Sequence, residues 1–148
     1  MSDFVMERDM NYAKDLSVED KKVFLQTLMQ LAKTDGSVDG GEKKFIVELA
    51  RLFGVSSQDA EEIKRKRDDD EVVEAAKVIT DRHVAMELVK EMCMLANSDG
   101  DLTDREMLLI GRVGLAMGLE LEKIEQISRW VVDRIVWIEE GKIIFEKV

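Results

Sequence analysis

The chain has 148 residues and no proline, with 36% charged residues and a formal net charge of −10 from 22 Lys and Arg against 32 Asp and Glu. A hydrophobic content of 45% supplies a core and excludes disorder, and a single cysteine excludes a disulfide scaffold. No apolar run reaches the roughly 18 residues of a membrane-spanning helix, and the acidic balance opposes nucleic acid and anionic lipid, so neither partner nor membrane insertion is expected. The length fits one domain over 1–148, and the N-terminus carries no signal or transit pattern, so the cytoplasm is the expected location.

In chain order, a short leading helix is expected near 4–14 and a longer one over about 18–34, ending at Thr34-Asp35-Gly36. The next opens on a capping box, Asp39-x-x-Glu42, and stops at Gly54, where glycine supplies the left-handed turn that ends a helix. Ser56 caps a third helix, which runs into Lys64-Arg65-Lys66-Arg67. That basic run is followed at once by Asp68-Asp69-Asp70. It reads as cations at one helix C-terminus and anions at the next N-terminus, rather than as a nucleic-acid patch. A second short leader is expected near 69–79, then a helix over about 82–98 ending at Ser98-Asp99-Gly100. Thr103-x-x-Glu106 is another capping box, and its helix ends at Gly118.

These elements repeat. Residues 28–63 align without gaps over 92–127, pairing Leu31 with Leu95, Ala32 with Ala96, Asp35 with Asp99, Gly36 with Gly100, Glu42 with Glu106 and Gly54 with Gly118. The apolar positions follow, at i, i+1, i+4, i+7 and i+8: Phe24, Leu25, Leu28, Leu31 and Ala32 answer to Leu88, Val89, Met92, Leu95 and Ala96. Phe45, Ile46, Leu49, Leu52 and Phe53 answer to Leu109, Ile110, Val113, Ala116 and Met117. That spacing is the buried stripe of an amphipathic helix. The expected fold is therefore all-α, a single-domain bundle of about seven to eight helices with an internal pseudo-twofold repeat, its units over about 18–67 and 82–134.

The tail, 135–148, admits two forms. Ile127, Trp130, Val131, Ile135 and Ile138 carry a helical stripe, which favours a last helix to about 139 with an extended end. A small hairpin around Glu140-Gly141 is the other. Trp130 and Trp137, seven residues apart, read as core packing, with a docking or dimer surface as the alternative.

The two acidic turns are the candidate metal sites. Asp35, Asp39 and Glu42 crowd the first, and Asp99, Asp101, Asp104 and Glu106 the second. Clustered carboxylates suit hard cations such as Ca²⁺ or Mg²⁺. An EF-hand does not fit, because its first ligand position would fall on Leu31 or Leu95. Two readings stay open: a weak divalent-cation site, or helix caps and solvated acids where the helix dipole favours them. No other cofactor is implied. His83, the lone histidine, reads as a surface residue near a helix start, and Cys93 as a core thiol. No nucleophile triad, P-loop or dinucleotide fingerprint is present.

The duplicated signature A-x-x-D-G-x-[VL]-x-x-x-E resembles the TerB-like family of tellurite-resistance proteins, which includes the N-terminal region of a membrane-anchored DnaJ-type co-chaperone. Ala32, Asp35, Gly36, Val38 and Glu42 carry it once, and Ala96, Asp99, Gly100, Leu102 and Glu106 again, within about 18–134. The resemblance implies an all-helical, duplicated domain of the bacterial cytoplasm, linked to tellurite and other stress. It also implies a protein partner such as the cytoplasmic face of a membrane protein, and metal at the acidic residues. The His-Pro-Asp of a J-domain is absent. Tellurite is an oxyanion, which an acidic chain binds poorly, and a lone core cysteine is a poor reductant. The expectation is a non-enzymatic, stress-associated interaction module with weak divalent-cation binding. The alternative is a calcium- or magnesium-sensing protein with ion-dependent partner binding, and a homodimer is left open.

Overall fold

A computed structural model of the chain describes residues 11–33, 40–98 and 102–146. Within them lie a 3-10 helix, Asn11–Asp15, and seven α-helices: α1 (Val18–Ala32), α2 (Gly40–Phe53), α3 (Ser57–Ile63), α4 (Asp69–Ala76), α5 (Arg82–Ala96), α6 (Asp104–Ala116) and α7 (Leu121–Ile144). No strand occurs among the described residues. The fold is the all-helical one expected.

Side-chain caps set most of the helix starts. Ser17, Ser56, Asp68, Asp81 and Thr103 each accept the backbone N–H three residues on, and Asp68–Glu71 and Thr103–Glu106 close full capping boxes. α2 and α6 end alike. Gly54 (φ 66°) and Gly118 (φ 89°) take the left-handed conformation. Val55 N–H then donates to Ala50 O at 3.3 Å, and Leu119 N–H to Gly114 O at 3.0 Å, the longer bond of a Schellman motif. The basic run behaves as its neighbours suggested. Arg67 donates to the carbonyls of Glu62, Ile63 and Arg65, closing the end of α3, and Asp68 opens α4.

α1 and α5 pack against each other at the centre. Phe24, Leu25, Leu28 and Leu31 from α1 meet the same core as Leu88, Met92 and Leu95 from α5, all fully buried. α2 and α3 lie on α1, α6 and α7 lie on α5, and α4 joins α1 to α6. Tyr12 stacks on Phe24 (5.9 Å between centroids), and Phe53 meets Phe24 edge-on (5.8 Å). This cluster ties the 3-10 helix and α2 to α1. On the other side, Gly114 lets α7 come close: a Cβ there would lie 2.5 Å from Ile124 Cδ1.

Several boundaries differ from the expected ones. α1 and α5 stop at Ala32 and Ala96, two residues early. At the second, the Asn97 amide turns back to donate to Cys93 O at 2.7 Å, satisfying a terminal carbonyl. α4 ends at Ala76 rather than near 79, because Val78 and Ile79 N–H close tight turns onto Ala75 O and Ala76 O. Of the leader expected near 4–14, the described part is 3-10 rather than α, and residues before 11 lie outside the described residues. Leu52, placed on the buried stripe, is exposed, because the inward face of α2 runs through Ile46, Leu49, Ala50 and Phe53.

The tail is the main correction. Neither the hairpin nor an extended end forms, and α7 continues through Gly141 to Ile144. A glycine inside a helix costs about 1 kcal/mol, while an isolated hairpin is marginal without a packing surface. Lys142 pairs with Glu139 at 3.1 Å across one turn, and Phe145 N–H donates to Gly141 O at 3.0 Å. The core-packing reading of Trp130 and Trp137 is also overturned: both are exposed, because their face of α7 is not the one that carries Ile124 and Val131 into the core.

Candidate functional site

Of the seven candidate ligands, Asp35, Asp39, Asp99 and Asp101 lie outside the described residues, as does the side chain of Glu42. Asp104 and Glu106 are described, on the first turn of α6. Glu106 is buried and committed to the backbone: its Oε1 accepts from Thr103 N at 2.9 Å, and its own N–H donates to Thr103 Oγ1 at 3.1 Å. Asp104 is exposed beside it, where the helix dipole favours an acid. Among the described residues no group of three His, Cys, Asp or Glu side chains is placed to hold a metal ion. Glu106 thus acts as a cap here. Thr103→Ala, which removes one half of the box, is expected to destabilise the fold by about 1 kcal/mol; a change of under a few tenths in urea unfolding would mean that the box does not hold this turn.

An apolar cavity of about 440 Å³ opens between α1, α2 and α3. Leu25 and Met29 line it from α1, Ile46, Val47 and Ala50 from α2, and Ile63 from α3, with Lys64 at one side. Sequence reasoning missed it, because each helix supplies only part of the wall. The available signal was an apolar residue off the buried stripe, Val47, which is exposed.

A second groove, about 310 Å³, runs between α5 and α7. Met86, Ile127 and Trp130 give it an apolar floor, and His83, Glu87, Lys90 and Lys123 line its sides. Glu87 pairs with Lys90 at 2.5 Å and lies 3.6 Å from His83. His83 is exposed, as expected. Cys93, also as expected, is a core residue; burial pushes its thiol up to about 12 against a weaker opposing hydrogen bond with Ser128. Such a thiol stays protonated and unreactive at neutral pH.

The family model of tellurite resistance protein TerB matches residues 6–65. Over that span the chain is similar to TerB. The matched segment takes in α1, α2 and α3, residues 35–42 and the whole apolar cavity. Neither a curated protein nor a solved structure matches the chain. No helix among the described residues is long and apolar enough to cross a membrane.

Proposed function

We propose that this chain is a tellurite-resistance-like interaction module of the cytoplasm, without enzymatic activity, that engages a protein partner and binds Ca²⁺ or Mg²⁺ weakly at its two acidic turns. The observation that carries this reading is the TerB match over 6–65, which spans the turn holding Asp35, Asp39 and Glu42. The net charge of −10 supports cations over oxyanions as the species attracted, so protection against tellurite would run through a partner rather than through capture of the anion. The apolar cavity supports binding, because its walls suit buried hydrocarbon rather than proton transfer. A membrane protein's cytoplasmic face is a partner consistent with this reading.

The test is a Ca²⁺ and Mg²⁺ titration of the isotope-labelled chain followed by NMR. Millimolar metal is expected to shift residues 35–42 and 99–106 and to leave α1 and α5 unmoved. Shifts spreading through both central helices would instead favour an ion sensor that changes shape. No shift at either turn would remove the cation from the proposed function.

A further inference from the structure

α7 outruns its support. It runs in the same direction as α5: Arg82, first on α5, holds Glu120, just before α7, through two hydrogen bonds of 3.0 and 2.7 Å. Further along, Cys93 hydrogen-bonds with Ser128. α5 then stops at Ala96. Val131 is the last buried residue of α7, and Ile135 and Ile138 are only partly covered. Beyond them Ile143, Ile144 and Phe145 are 78%, 70% and 72% exposed.

The exposed apolar residues are not scattered. Trp130, Trp137 and Ile144 fall seven apart, so they share one face with a drift of only about 20° per step. Trp137 is 74% exposed and Trp130 52%. Trp130 also lines the α5–α7 groove. One apolar ribbon therefore starts on the groove floor at Met86 and Ile127 and continues out along the overhang.

We propose that two copies of this chain pair antiparallel along α7, each laying its overhang into the α5–α7 groove of the other. A twofold axis near residue 134 makes the ribbon complementary to itself, as a closed dimer interface requires. It sets Ile144 of one copy at the level of Ile124 and Glu125 of the other, within one helical turn of Gln126 and Ile127 on the groove, and brings Trp137 within one helical turn of the other copy's Trp130. The same register sets Arg129 opposite Glu140, twice, because both lie on the same flank of the Trp stripe. The charges agree in bulk as well. The segment 136–146 carries Glu139, Glu140 and Glu146 against Lys142, while Lys90 and Lys123 line the groove against Glu87. Those acids also set the overhang against an anionic membrane surface. The exposed Trp, Ile and Phe surface amounts to roughly 600 Å² per copy, which is at the low end of specific interfaces and suits a reversible dimer.

The test is sedimentation equilibrium of the full chain over a wide concentration range. The mass is expected to rise from 16.9 kDa toward twice that value. Trp137→Glu is expected to hold it at the monomer mass, with a far-UV CD spectrum matching that of the dilute wild-type monomer, since the side chain it replaces is exposed. Arg129→Glu and Glu140→Arg should each weaken association about tenfold or more, and the two together should restore it. A chain that stays monomeric at the highest concentration, a Trp137→Glu variant that still dimerises, or a double charge reversal that restores nothing would overturn the proposal. Binding of the monomer to phosphatidylserine vesicles with a blue shift of Trp emission, absent self-association, would assign the ribbon to lipid and overturn it too.

Discussion

Phe24→Ala is expected to lower the unfolding free energy by about 3–5 kcal/mol, the largest loss from any single truncation considered. Phe24 is fully buried on α1 and is the shared member of two aromatic contacts, 5.9 Å to Tyr12 and 5.8 Å to Phe53. Each contact adds roughly 0.5–1.5 kcal/mol beyond its buried area. Tyr12 and Phe53 also meet each other at 6.4 Å, so neither can collapse into the vacated space without giving up that contact. Against a total stability of roughly 5–15 kcal/mol, the variant sits near the edge of folding. Urea unfolding should show the midpoint falling with an unchanged slope, and Phe24→Leu should recover most of the loss. A drop under about 1 kcal/mol would mean that the cluster does not bind α1 to α2.

The second large effect lies at high pH and comes from Cys93. Its ordinary value is 9.0, and burial raises it to about 12 in the folded chain. Below pH 9 the thiol is protonated in both states and its contribution is complete. Between 9 and 12 the unfolded chain loses a proton that the folded chain keeps, so stability falls as pH rises. The slope is about 1.4 kcal/mol per pH unit, on the order of 4 kcal/mol by pH 12. Lysine titration acts on both forms of the protein, so the comparison to make is with Cys93→Ala. The variant starts less stable, having lost packed volume, but its stability should fall less steeply with pH. Parallel curves for the two proteins would show that the thiol is not held in its neutral form.

The core was legible because α1 and α5 each bury one continuous stripe, and the i, i+4, i+7 spacing from Phe24 to Leu31 and from Leu88 to Leu95 reports that directly. The caps at Ser56 and Thr103 and the stops at Gly54 and Gly118 were legible for a similar reason: each is a local bond between residues a few positions apart. What failed depended on distance in sequence. Periodicity places Trp130 and Trp137 on one face of a helix, but it says nothing of where the supporting helix ends, and α5 ends at Ala96. Gly141 looked like a turn residue because glycine favours turns in general, yet a helix already running through Glu140 passes it at small cost. The cavity belongs to three helices at once and to no segment's pattern. The acidic turns were legible as composition only. Glu three residues after an N-cap looks the same whether it caps the helix or binds an ion, and for Glu106 the structure shows the cap.

The mismatch in length between α5 and α7 has a consequence for how the C-terminal turns are held. Up to Val131, α7 takes its order from the core. Beyond Ile138, which is partly covered, α7 contributes no residue to that core, and the six residues of helix left to Ile144 are marginal on their own in water. With Gly141 among them, their helicity depends on propagation from the anchored part and on whatever lies against Trp137 and Ile144. The end of the chain is therefore conditionally folded: covering it supplies the order it lacks, and its helix content becomes a measure of its own occupancy.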